Sequence, residues 1–540
     1  MICSNNTISR PDRRLAAILL LIPAALLAVP TGPVHGAAQE SRVEEASRQA
    51  LRRGDGVAAE VLLRDAVKHD AASANRLRAL LGEALLAQGN LRSARETLYG
   101  GDFTPETAAH GWHLRGRLEL AEGRLGEAGR AFDQSLRVHP DNGALWVDIA
   151  RLRLRGAEQA QAIEAAMRAV RLEPENPRAL ELGGLLVRDQ FGLRAALPWF
   201  EAGLRHAPDD TALLAEYAAT LGDLGQYRAM LVVCRKLAKV DPGNIRALWL
   251  QAVLAARAGQ TDLARRILDR AGKPLQEVPA AMLLAGILEY RAGNANLAVA
   301  HFDRLLRVQP DNLQARTLLA RALLHRGLDR QVMEVAAGWS EMPSASPYLL
   351  KVVSVSYGRL GQKDRSQALI DAAARGSRAS PQPLPSGQPL SVLALRERQA
   401  PGTFENAVPL VRALLRAGQR TDAIVAADRL RAAMPGAAEA WLLSGDARIM
   451  AGDVVGALDH YGRAALIRFN LPALRRIDDG LRRLGRHAEA NTMLERYLSQ
   501  NPGNPQAMKL LGAGLADSGQ REGAARIEAL LSAGGLRNPV

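Results

Sequence analysis

His110 and His113 stand three residues apart in the run HGWH, a spacing that puts both imidazoles on one side of a helix, where they could share a metal ion. A stable site needs a third ligand. The neighbouring residues supply no cysteine and no acidic cluster, so the sequence predicts exposed histidines beside Trp112 and no metal. Nucleophile chemistry is no better supported: Cys3 lies in the leader and Cys234 falls at an apolar place of a helix, where a thiol is a small hydrophobe. Gly222-Asp-Leu-Gly225 has phosphate-loop glycines without the lysine or the strand, and serves better as a helix end. HExxH, GxxxxGK[ST], GxSxG and CxxC are missing, and no cofactor is implied. What remains is charge. The formal net charge is +14, or +12 without Met1–Ala38, and seven of the 70 basic residues are lysine. Nucleic acid is disfavoured all the same, because no aromatic-basic stacking platform is visible.

The elements that would position these charges are set by a repeat of 34 residues. In Thr211–Asn244, Leu214, Tyr217, Ala218 and Leu221 share one helical face and Gly225 ends that helix. Met230, Cys234 and Leu237 rebuild an apolar face before Pro242 stops the second helix. The frame repeats without insertion at 75, 109, 143, 177, 211, 245, 279, 313 and 347. Its eighth place holds Gly82, Gly116, Ala150, Gly184, Ala218, Ala252, Gly286, Ala320 and Ser354, and small residues such as Ala128 and Ala298 recur at the twentieth. Both choices let helices cross closely. Pro140, Pro174, Pro208, Pro242 and Pro310 fall at the thirty-second place and end each unit.

This pattern resembles the tetratricopeptide repeat: Trp112, Gly116, Ala128, Phe132 and Pro140 make one good copy, and Trp441, Gly445, Ala457, Tyr461 and Ala464 another. The resemblance implies an all-α, right-handed superhelix of about 14 helix pairs, with the first helices lining the concave face. On that face the ninth place of the unit carries Arg117, Arg151, Arg321 and Arg412, and the thirteenth carries Arg155, Arg257, Arg291, Arg359 and Arg416. Such a groove would attract an acidic protein segment, an anionic polysaccharide or a phosphate-bearing lipid; the alternative is an ordinary solvated face in an arginine-rich chain. Leu114, Asp148, Leu182, Glu216 and Leu250 stand where chaperone-tail clamps of this family carry Asn and Lys, so that activity is not implied.

Four segments are expected. Residues 1–38 read as a signal peptide, with Arg10, Arg13 and Arg14 before the apolar run Ala16–Val29 and small residues near Ala38. That places the protein in the periplasm or outside the cell, or anchors it by its N-terminus; the mature chain has no stable membrane span. Residues 39–375 form a long repeat block, 376–403 a linker rich in Pro, Ser and Gly, and 404–540 a shorter block whose units start at 404, 438, 471 and 505. The resulting expectation is a non-catalytic exported scaffold that binds an envelope protein through its groove. The alternative is an accessory subunit of exopolysaccharide synthesis or export, or of an exosortase-linked surface system.

Overall fold

The structure is a computed structural model and describes residues 34–342, 345–375 and 388–533. The signal-peptide expectation lies outside the described residues up to Pro33, as does the first part of the expected linker. Among the described residues there are 30 α-helices, one short 3-10 turn and no strand. Twenty-eight helices form fourteen pairs in the order the repeat frame sets, and two are extra: Lys273–Gln276 and Leu390–Gln399. No described helix is long and apolar enough to cross a membrane. The chain divides into two compact units between Thr107 and Ala108. The first holds Val34–Arg52, Gly56–His69, Ala74–Ala87 and Leu91–Tyr99. The second holds the remaining pairs.

Each unit begins and ends for local reasons. Asn142, Asn176, Asp210, Asn244 and Asn312 are N-caps of first helices, their side-chain oxygens accepting backbone N–H groups that would otherwise have no partner. The stop between first and second helix is a residue in the left-handed region, Gly123, Gly225, Gly259, Gly293 or Gly327 with φ between 70° and 83°. After one intervening residue the next helix begins and runs back antiparallel.

Packing inside a pair follows a size rule. Where the eighth place is glycine, the twenty-fourth is large: a methyl on Gly116 would overlap the Phe132 ring, one on Gly286 the Phe302 ring, and one on Gly445 the Tyr461 ring. Alanine at the eighth place meets smaller partners, as in Ala150 with Ala166, Ala218 with Cys234 and Ala320 with Ala336, all of them buried. In these units a ring faces glycine and a smaller residue faces alanine, and Ala252, which shares its core with Leu268, departs from the rule. Trp112, Trp146 and Trp441 are each only partly buried, with Arg115, Arg168 and Arg431 stacked on their rings.

Consecutive first helices touch one another along the second unit, as Pro177–Phe191 does with Thr211–Asp223 and Leu313–His325 with Pro347–Arg359, while consecutive second helices lie farther apart. A row of rods more closely spaced on one side curves toward that side. The first helices therefore line the concave wall.

The stretch expected to be a linker is not uniformly irregular. Leu390–Gln399 is a helix, and its Leu393 is buried against Leu410, Val411 and Leu414 of the following pair. Leu390, Leu393, Ala394 and Glu397 have helical spacing, and Glu397 turns back to accept the Gly402 N–H at 3.0 Å. The helix thus closes the open face that the pair starting at Phe404 would present. Cys234 is fully buried and burial pushes its thiol up to about 11, as expected of an inert core cysteine.

Candidate partner-binding groove

The concave wall of the second unit has two halves. In the first, the helices Ala108–Ala121, Gly143–Arg155, Pro177–Phe191 and Thr211–Asp223 carry acids among their bases: Glu119, Asp148, Glu181, Asp189, Glu216 and Asp223. Asp148 is the hub of a buried cluster. His113 Nε2 donates to its Oδ2 at 2.8 Å, Arg151 reaches Oδ1 at 3.0 Å and Arg117 lies 3.6 Å from Oδ2. Burial pushes the Asp148 carboxyl up, but the His113 hydrogen bond and the two guanidinium charges outweigh it and hold it down at about 2. A second hub is Glu216, paired with Arg188 at 3.0 Å and with Arg246.

This corrects the reading of the histidines. His113 is 7% exposed, packed edge-on against Phe132, and hydrogen-bonded to Asp148 of the next first helix instead of facing solvent. Among the described residues no group of His, Cys, Asp and Glu is arranged to hold a metal.

The second half is different. The helices Ile245–Arg257, Pro279–Arg291, Leu313–His325 and Pro347–Arg359 contain a single acid, Glu289. It is buried and taken by Arg265 and Asn294, each at 2.7 Å. Two bases of this half are held by tyrosines. Arg257 donates to the Tyr227 hydroxyl at 2.9 Å, and Arg321 donates to Tyr290 at 3.0 Å while lying between the rings of Tyr290 and Tyr348, at 4.8 and 5.7 Å. The His325 ring is edge-on to Tyr290. A tyrosine hydroxyl orients a guanidinium without cancelling its charge.

The nine arginines read from the sequence thus have four fates. Arg117 and Arg151 neutralise Asp148. Arg155 and Arg359 cap the preceding first helix, donating to the carbonyls of Leu120 and Leu324, where the helix dipole is negative; Arg359 also stands 3.7 Å from Asp329. Arg257 and Arg321 are held by tyrosine, and Arg291, Arg412 and Arg416 form no ion pair or side-chain hydrogen bond among the described residues. The sequence marked the places but not the partners. The near-absence of acids from the four helices between 245 and 359 was a visible signal that reading the arginines alone passes over.

A sequence model of the tetratricopeptide repeat family matches residues 113–177, 283–329 and 408–471. Comparison with curated proteins finds no match. Among solved structures, pilF of Pseudomonas aeruginosa is similar at 16% identity, covering 40% of this chain and 99% of its own, with a TM-score of 0.36. PilW, a type IV pilus biogenesis factor, is similar at 15% identity over 39% of this chain and 98% of its own, TM-score 0.35. YrrB, described as having an unusual peptide-binding site, shares 19% identity over 34% of this chain and 95% of its own, TM-score 0.27. With the 34-residue frame, its fourteen helix pairs among the described residues and its small-on-large crossings, the chain carries tetratricopeptide repeats.

Proposed function

We propose that the protein is a non-catalytic exported scaffold that binds an acidic segment of an envelope protein on the Arg–Tyr half of its concave wall. The observation that carries this reading is the contrast in neutralisation: the helices between Ile245 and Arg359 present Arg257, Arg291 and Lys351, while the one acid of those helices, Glu289, is already taken by Arg265 and Asn294. Tyr227, Tyr290 and Tyr348 are each partly exposed beside these bases, adding flat apolar surface and hydroxyls to the charge. An extended acidic peptide meets both needs. Export rests on the leader-like start of the sequence, and the charge reading does not depend on it.

The test is a pull-down from envelope extract with the native chain and with a triple variant Arg257→Glu, Arg291→Glu, Arg321→Glu. Loss of one stoichiometric protein partner is expected. Retention of that partner by the variant would contradict the assignment, and capture of an anionic polysaccharide in its place would favour a subunit of polysaccharide export.

A further inference from the structure

We propose that the pairs between Phe404 and Gln500 act as a clasp, closing the second unit on itself one superhelical turn later by capping helix ends across the seam. The contacts join residues 276 to 280 positions apart at the first two places and 305 to 308 apart at the third. They advance in register: the turn at Ala157–Gln159 meets Gly436–Glu439, the turn at Asp189–Gln190 meets Leu466–Arg468, and the turn at Gly192–Arg194 meets Ser499–Asn501.

What marks this seam as built is where its hydrogen bonds go. The helix Gln159–Leu172 has no side-chain N-cap, and its Ala160 N–H donates across the seam to the Gly436 carbonyl at 3.1 Å. The helix Leu193–His206 follows Gly192, which cannot cap, and the Leu193 N–H is taken by Asn501 Oδ1 at 3.3 Å. Reciprocally, Ala438 opens its helix after an uncapped Ala437, and its N–H donates to Gln159 Oε1 at 3.2 Å. Three helix N-termini, each lacking its own cap, are capped by the other turn of the superhelix. Arg468 adds an ion pair to Asp189 at 3.2 Å, and the Arg194 side chain donates to the Ser499 carbonyl at 3.1 Å.

The turns at the seam are also the ones that break the repeat's own rule. Ala157 holds φ at 58°, the left-handed conformation that glycine takes in the other units, and it packs against Ala407, Leu430, Ala437 and Ala440. A side chain tolerates that strained conformation where its methyl has something to pack on. Gly192 has φ 115°, and any side chain there would strike Gln500 and Asn501. Gly225, Gly259, Gly293 and Gly327 face nothing within 4 Å, although Gly503 still approaches the Asp223 carbonyl, 3.4 Å from where its Cβ would stand. Closing the ring fixes the curvature of every pair between its two ends, including those that carry Arg257, Arg291 and Arg321. That last consequence rests on the groove reading; the clasp does not.

Amide hydrogen exchange on the full chain tests it without mutation. Ala160 and Arg228 occupy the same place in their units, and neither helix has a side-chain cap. The Ala160, Leu193 and Ala438 amides are expected to exchange roughly tenfold or more slowly than Arg228, because only they have cross-seam acceptors. Equal rates would overturn the clasp. In a second arm, Arg468→Glu combined with Gln159→Ala should bring the three amides to the Arg228 rate and enlarge the radius of gyration in solution scattering, with helix content retained. Adding Asp189→Arg should recover part of the protection. Unchanged protection in the double variant would equally overturn the proposal, whatever the partner-binding result.

Discussion

The two halves of the concave wall are built from the same repeat and carry similar numbers of bases, yet one is neutralised by its own acids and the other is not. Between Ala108 and Asp223, Asp148 gathers Arg117 and Arg151, and Glu216 gathers Arg188 together with Arg246 from the first helix of the other half. Between Ile245 and Arg359 the only acid of the first helices is turned away to Arg265, and tyrosines hold two of the bases in place. The lesson is that basic residues at a groove-facing place do not make a basic groove. The acids on neighbouring helices decide whether charge is spent on stability or left for a partner.

The comparison can be broken first at Asp148. Asp148→Ala should cost roughly 3–5 kcal/mol, because it strands buried His113 and leaves Arg117 and Arg151 without their common acid. Arg291→Ala, in the other half, should leave unfolding within about 0.5 kcal/mol of the native chain. Chemical denaturation of both variants measures the difference; equal costs would erase the distinction between the halves. Next in size is packing, which both halves share: Ala218→Trp should lose roughly 1–3 kcal/mol by overfilling its contact with Cys234, and an unaltered melting curve would refute the register.

Smaller again is an effect of pH. The folded Asp148 carboxyl titrates at about 2, below the usual carboxylate value near 3.8, so its contribution is complete above about pH 4 and is lost as pH falls toward 2. The full shift corresponds to about 2 kcal/mol. Native chain and Asp148→Asn should therefore differ most in stability at neutral pH and converge below about pH 3; a constant difference down to pH 2 would show that Asp148 is not the titrating group.

Much of the architecture was legible because it is written locally. Proline at the thirty-second place, Asn or Asp two residues later and glycine between the helices define each pair without reference to the rest of the chain. The pairing of Gly116 with Phe132 and Gly445 with Tyr461 lies within one unit and could be read in the same way. Interactions between units were harder. His113 meets Asp148 across 35 positions, and nothing near either residue announces it; the HGWH run suggested exposure because the partner is on another helix. The helix Leu390–Gln399 was hidden by the Pro- and Ser-rich residues before it, although its own ten residues contain neither proline nor glycine. The seam was least legible of all. Ala157 in place of glycine and the displaced Gly192 are small irregularities whose reasons lie in contacts that span 280 and 308 positions.

The most direct test of the divided wall is calorimetric titration of a glutamate-rich peptide into the native chain and two triple variants. Reversing Arg257, Arg291 and Arg321 to Glu should abolish binding with the fold intact. Reversing Arg117, Arg151 and Arg155 should lower stability and leave the affinity of the remaining folded protein nearly unchanged. If the second triple abolishes binding and the first does not, the acidic partner sits on the half of the wall that carries Asp148 and Glu216, and the division of labour between the halves is contradicted.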